Sequence, residues 1–324
     1  MTKVLAILFS AALLFTAGEV PAKEQTKSIV IRAGKTDSPN HALAVQFAEA
    51  VAVALNGAYT LDVQESQGSI ENVRDTLKAP RDYLFTTGPN VIAAARRGVK
   101  PFEPNTHYKR IRALFPIPAQ TVQWVVRKDG DVKSLADLAG KSFISGAKGN
   151  IAERVTTEAL ETLGILHEVQ IMDISAGAAA QALKAKQVAG FAIAGPYPLK
   201  EIIDLAATTP IGLLSMPQAQ LHRVLRADDS IAAEPVPKST YPGLDADVTA
   251  LALPAGVYTT TRMSEDVAYA ITKAFWTQRD AIVKKYPPWQ AANAAALATL
   301  GAELHPGALR YYKEELIPVP RRVR

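Results

Sequence analysis

The 324-residue chain contains no cysteine. That excludes a disulfide scaffold, an iron–sulfur protein, a thiolate zinc site and a cysteine nucleophile. Histidine is scarce too. His41, His107, His167, His222 and His305 are scattered and make no HExxH or other tight ligand spacing, so no metal site and no cofactor are expected. No GxSxG elbow occurs. Ala139-Gly140-Lys141-Ser142 imitates the end of a phosphate loop, but Leu135 stands where that motif needs glycine. A helix also precedes this segment and a strand follows, the reverse of the required order. Acidic neighbours such as Asp228-Asp229 and Glu314-Glu315 sit in polar surroundings and pair no carboxylates across a pocket. No catalytic residue is assigned, and an exported hydrolase has no supporting residue set.

Charge of one sign is also in short supply. The formal net charge is +5, and Arg321, Arg322 and Arg324 supply three of those charges at the carboxyl end, leaving the body near +2. A nucleic-acid partner would need a Lys/Arg stripe with aromatic residues, and none is expected.

The hydrophobic content of 48% suits a body with a real core. The length suggests more than one domain-sized unit, because single cores rarely grow past roughly 250–300 residues. Lys3 precedes an apolar run, Val4 to Phe15, interrupted only by Ser10. That run is short of the about 20 residues a bilayer span needs but suits a signal peptide. Val20-Pro21-Ala22 offers cleavage after Ala22, so residues 1–22 are expected to be removed; the alternative is an uncleaved anchor. The mature chain is then expected to be exported and soluble, in the periplasm where the host has an outer membrane.

Strands and helices alternate after that. Ile29 to Ala33 is β-branched and strand-like. Ser38 can cap a helix with Pro39 in its first turn, and Leu43, Phe47, Val51 and Leu55 recur at four-residue spacing until Asn56-Gly57 stops it. Tyr59–Val63 and Asp82–Thr86 read as strands, with Ser69–Leu77 (capped by Ser69) and Val91–Arg97 as helices. A further strand, Ile111 to Phe115, is followed by a break at Pro116-Ile117-Pro118-Ala119. A second series follows: strands near Thr121–Val126, Lys141–Ser145, Val169–Ile174 and Gly190–Ala194, and helices from Asn150 to Leu163, Ala176 to Lys186 and Leu199 to Ala206. Residues 226–245 read as a polar excursion, Val248–Tyr258 as an extended return, and Glu265–Lys284 as a long helix. Such alternation argues for α/β units with largely parallel sheets. The expected division is 28–119 plus 252–324 for one lobe and 120–251 for the other, with a cleft between them.

Ligands of open α/β sheets bind at the carboxyl ends of the strands. The turns there hold the candidate site: Lys35, Thr36, Ser38 and Asn40; Thr87 and Asn90; Gly146, Lys148, Gly149 and Asn150; and Tyr197 within Gly195-Pro196-Tyr197-Pro198. Each leads into a helix start, whose N–H groups and dipole attract anions. In this reading Lys148, Asn150 and the Gly149 backbone hold the anionic group, and Lys35, Ser38, Asn40 and Thr87 read the rest. Each turn is also ordinary loop chemistry. Tyr197 forms an apolar wall of the cleft or packs on its own lobe.

Several segments together resemble one family, the TAXI-type solute receptors of TRAP transporters. They are Leu304-His305-Pro306-Gly307-Ala308-Leu309-Arg310-Tyr311-Tyr312-Lys313-Glu314, Thr240-Tyr241-Pro242-Gly243, Tyr269 to Phe275, Ser134 to Lys141, and Gly68-Ser69-Ile70-Glu71-Asn72. The resemblance implies an α/β, two-lobed periplasmic-binding-protein-like fold of type II with an interlobe ligand cleft. It implies a monomer that closes on a small organic anion, an amino acid or a dicarboxylate, and delivers it to the permease subunits of a sodium-coupled transporter. The alternative is a ligand-binding module serving a sensor or partner protein, with no transport role. The turns depart from the family pattern. Thr87 replaces a glutamine, and Gly146-Ala147-Lys148-Gly149-Asn150-Ile151-Ala152-Glu153 stands for Gly-Ala-Pro-Gly-Ser-Gly-Thr-Glu.

Overall fold

A computed structural model describes residues 26–36, 38–174 and 176–324. The expected signal peptide, residues 1–22, lies outside them. In chain order the elements are β1 (Lys27–Gly34), α1 (Pro39–Leu55), β2 (Tyr59–Glu65), α2 (Ser69–Asp75), β3 (Tyr83–Thr87), α3 (Pro89–Arg97), β4 (Ile111–Arg127) and β5 (Ser142–Ile144). Then come α4 (Ile151–Leu163), β6 (Gln170–Ile171), α5 (Ala176–Lys184), β7 (Gly190–Gly195), α6 (Lys200–Ala206), β8 (Ile211–Leu213) and α7 (Gln218–Ala227). The chain closes with β9 (Ala232–Val236), β10 (Val248–Thr260), α8 (Glu265–Lys285) and α9 (Pro306–Glu314).

The strands form one ten-stranded sheet in the order β2-β1-β3-β10-β4-β7-β5-β6, with β8 on β4 and β9 on β10. At each end the pairs are parallel, β2-β1-β3 on one side and β7-β5-β6 on the other. Parallel neighbours need crossover connections, which α1, α2 and their counterparts supply. The middle corrects the expectation of largely parallel sheets. β10 runs antiparallel to β3, β4 and β9, and β4 antiparallel to β7 and β8.

The expected break at Pro116–Ala119 is also corrected, because β4 is a single 17-residue strand through both prolines. Its ladder with β10 absorbs the irregularity by shifting register between Leu253 and Ala255 and between Val257 and Tyr258. Prolines persist in sheets at such bulges. The 226–245 excursion holds β9, whose exposed alternate residues hide the strand pattern. Val169–Ile174 shrinks to two paired residues, and the helix from Ala176 stops at Lys184 with Lys186 left-handed (φ 57°). Helix α2 starts from Gly68 (φ 109°), without a side-chain cap from Ser69. Helix α1 follows its sequence signals: Ser38 Oγ accepts from the His41 N–H, Leu43, Phe47, Val51 and Leu55 are buried, and Asn56 turns left-handed (φ 44°).

One core gathers Ile29–Ile117 with Ala255–Val323. At its centre Phe275 of α8 stacks on Phe115 of β4 (centroids 4.2 Å, 12°) and meets Phe47 of α1 at 6.2 Å and Trp289 at 5.9 Å. Two further clusters lie on opposite faces of β4's second half, around Val122, Trp124 and Val126 on one and Val125 on the other. Trp124 Nε1 donates to Thr156 Oγ1 of α4 at 2.9 Å. Ala291, from the carboxyl-terminal segment, joins the Val125 cluster, so that segment leans across to the second half. No helix among the described residues is long and apolar enough to cross a membrane.

Phe275→Ala should lower stability by about 3–5 kcal/mol, the usual cost of truncating a buried phenylalanine; urea titration followed by circular dichroism measures it. His305 supplies a pH test. Its Nδ1 accepts from the Gly307 N–H at 3.2 Å, so the proton sits on Nε2, which donates to Met263 O at 3.1 Å. Burial holds its pKa below the ordinary histidine value, with the Met263 bond opposing. The unfolded chain therefore binds a proton that the folded chain does not. Stability is full above about pH 6.5 and falls as the pH drops through and below it. The urea midpoint should fall between pH 7.5 and pH 5.5, and His305→Asn should flatten that part of the fall.

Candidate functional site

Within each parallel half, all the carboxyl ends point to one edge. β1 ends at Gly34, β3 at Thr87, and β5 at Ile144 just before Gly146. Asn72 of α2 fastens the first two together. Its Nδ2 donates to Arg32 O (3.2 Å) and Thr86 O (3.0 Å), and the Tyr83 hydroxyl donates to Asn72 O (2.9 Å). Thr86 Oγ1 adds a bond to Ala33 O at 3.2 Å. Asn72 is fully buried, so these bonds face little competition from water.

A cavity of about 310 Å³ opens on this edge between the two halves. Ala33, Gly34, Lys35, Ser38, Pro39 and Asn40 form one wall, Gln67, Gly68 and Ser69 the next, and Gln120 of β4 and Ile151 of α4 the far side. Ile151 packs on the Trp124 cluster and Ala33 belongs to the Phe275 core, so both halves contribute. Gly34 (φ 117°) lies so close to Ser38 that a side chain there would strike its Oγ. Lys35 is the one charged side chain among the lining residues described. Gln120 Nε2 is a buried donor with no hydrogen-bond partner. Amides, hydroxyls and a single cation, with no carboxylate, suit a polar ligand bearing negative charge. A larger cavity, about 370 Å³, lies at the amino ends of β5 and β7. It is walled by one half alone, and of its charges Arg127 pairs with Asp129 and Lys141 with Asp131, with Lys186 beside them.

Of the sequence candidates, Lys35, Ser38 and Asn40 line the shared cavity, while the others lie elsewhere. Thr36 Oγ1 donates to Glu65 Oε2 at 3.0 Å. Thr87 is fully buried and its Oγ1 bonds to Gly88 O at 3.4 Å. Asn90 folds its Oδ1 back over Gly88. Tyr197 packs within its own half, its hydroxyl donating to Glu234 Oε1 (3.1 Å) or Pro235 O (2.9 Å), and burial raises its pKa.

The Gly146–Asn150 turn satisfies itself. Asn150 Oδ1 accepts from the Glu153 N–H at 2.8 Å, and the Glu153 carboxylate accepts from the Gly149 N–H. Gly146 (φ 125°) presses against that helix start, and Lys148 is exposed. Helix α2 does the same, since Glu71 accepts from the Gln67 N–H at 2.6 Å, a bond that holds its carboxyl below the usual range. Two of the three helix starts at the cavity thus carry their own carboxylate. Helix α1 has no acidic residue in its first turn; Asp37, just before it, lies outside the described residues.

The walls at Gln67–Ser69, Gln120 and Ile151 were not among the sequence candidates. Gly68-Ser69 follows β2 as Ser38-Pro39 follows β1, a signal that could have found the first of these. Gln120 was hidden between the supposed break and the strand expected from Thr121.

A profile described as the NMT1-like family matches residues 31–315 of this chain. Among solved structures, a TctC solute binding protein from Polaromonas is similar, with 13% identity, 85% of this chain and 88% of that chain covered, and a TM-score of 0.51. MatC from Rhodopseudomonas palustris, solved with bound malate, has 13% identity, coverage of 90% and 99%, and a TM-score of 0.48. The first likeness shows the fold: the architecture is the two-lobed α/β fold of periplasmic solute-binding proteins.

Asn150→Ala should cost about 1 kcal/mol by removing an N-cap, whereas Lys148→Ala should stay within about 0.5 kcal/mol of the parent. Guanidinium titrations of both variants test whether the turn is a structural cap.

Proposed function

The chain belongs to the NMT1-like family, and from that premise we propose that it is an exported solute receptor, a binding protein and no enzyme. It captures a small organic anion between its lobes and hands it to a membrane permease. The single observation that carries this reading is the cavity walled by both halves of the sheet, with Lys35, Ser38 and Asn40 on one side and Gln120 and Ile151 on the other. The anionic group sits at the first turn, beside Lys35, Ser38 and Asn40. The second-lobe turn contributes Ile151 and shape, because the Glu153 carboxylate already takes the Gly149 N–H. This reverses the roles expected for Lys35 and Lys148.

The lobes in this proposal are residues 28–119 with 252–324, and 120–251. The separate clusters around Phe275 and around Trp124 support that division. Ligand contact with both lobes favours the closed arrangement, by as much as the ligand prefers it over the open one. The resemblance of Leu304–Glu314 to TAXI-type receptors supports a TRAP-type permease as the partner, with an amino acid or dicarboxylate as the first class to try.

A thermal-shift screen of residues 23–324 against amino acids, dicarboxylates and keto acids should raise the melting temperature for at least one member, since a ligand of the native state stabilises it. For that member, Lys35→Ala should weaken affinity about tenfold or more, the scale of a charge-assisted bond. Lys148→Ala should change affinity less than about threefold. Calorimetric titration measures both, and equal losses from the two variants would return the anion to the second-lobe turn.

A further inference from the structure

The cleft continues past Pro39. On the far side of that residue lies a second cavity of about 310 Å³, walled by Pro39 and Leu43 of α1, Pro196 after β7, and Tyr286, Pro287 and Pro288 after α8. Two observations join it to the first cavity. Pro39 lines both. Thr121 pairs with Gly195 across the β4–β7 ladder, so their chain neighbours Gln120 and Pro196, one from each cavity, stand side by side on the second lobe.

The two cavities differ in chemistry. Each polar side chain bordering the second makes a bond within the protein. Gln46 Oε1 accepts from Trp289 Nε1 at 2.8 Å, Lys285 Nζ pairs with Glu49 at 3.0 Å, and the Tyr286 hydroxyl donates to the same carboxylate at 3.0 Å. Most of what faces the space is the CH surface of prolines, Leu43 and Ala42. The first cavity, by contrast, is lined by Lys35, Ser38, Asn40, Gln67 and Gln120, whose charge, hydroxyl and amides suit a charged end.

We propose that the second cavity is an apolar subsite of the same cleft, and that the solute is an organic anion carrying a hydrophobic arm of several carbons. Its charged end meets Lys35 and Gln120, and its arm passes Pro39. The proposal rests on the receptor reading above and narrows the ligand class within it. A dicarboxylate long enough to fill both cavities would strip its second carboxylate of water against a mostly CH surface whose one cation, Lys285, is already held by Glu49. A monocarboxylate of the same length meets no such penalty.

The test is calorimetric titration of the purified chain, residues 23–324, with straight-chain monocarboxylates from acetate to octanoate and with dicarboxylates of matching length. Each methylene buried is worth about a fourfold gain in affinity. Affinity should rise by about that factor per carbon until the subsite is full, with matched dicarboxylates at least about tenfold weaker. Ala42 is exposed on the helix surface, so Ala42→Phe can fill the space without disturbing the core, and it should flatten the rise. Its unchanged unliganded melting temperature would show that the fold is kept. Binding of acetate with no gain along the series, or tighter binding of the dicarboxylates, overturns the apolar subsite and leaves the receptor reading standing. No binding of any of these acids, together with no response in the amino-acid and keto-acid screen, overturns both.

Discussion

The antiparallel ladder between β4 and β10 is the constraint on which the rest depends. It runs from the Ile111–Thr260 pair to the Val122–Leu251 pair, through both halves of the sheet. Each half is a parallel unit with its own covered faces, and each would present its carboxyl edge in any direction were it free. The two long strands hold both edges toward one space. The register shift between Leu253 and Ala255 lies next to Gln120, which pairs with Leu253. The ladder is therefore least regular at the level of the cavity. Bending there would change the gap between Ser38 and Ile151 while leaving the Phe275 core and the Trp124 cluster intact, since each lies wholly to one side.

Charge at the helix starts follows a second constraint. A helix begins with unpaired N–H groups that any nearby anion can satisfy. In α2 and α4 the third residue, Glu71 or Glu153, folds back onto the preceding turn and does so. In α1 that position is His41, whose N–H is taken by Ser38 Oγ at 3.3 Å. The same local device that stabilises two of the helices also withdraws their donors from a ligand. Glycine and a nearby lysine are thus insufficient grounds for placing an anion at a turn, because the helix's own carboxylate competes for the same donors at no translational cost.

Much of the architecture is legible from short stretches. Leu43, Phe47, Val51 and Leu55 read as the buried face of α1, and Ser38 and Asn56 as its start and stop, because each signal depends on residues within about one turn of each other. The family resemblance rests on the same kind of short segments. The strand ladder was harder to read. Pro116 and Pro118 look like a break because proline withholds a donor, and only the bulged partner strand shows that the donor is not missed. β9 alternates outward and inward against β10 alone, too short and too polar to stand out.

The sequence by itself determined the alternation of strands and helices, the caps of α1, the absence of thiol and clustered-histidine chemistry, and the turns from which a site must be drawn. Only the tertiary structure decided that Gln120 and Ile151 join Lys35, Ser38 and Asn40 around one space, and that Thr87, Tyr197 and the Gly146–Asn150 turn spend their polar groups internally. The reason is range. Caps and periodicity are settled by neighbours a few residues apart, whereas a donor's availability depends on every acceptor that folding brings within about 3 Å of it. In this chain some of those acceptors lie far along the sequence, as Glu234 does from Tyr197.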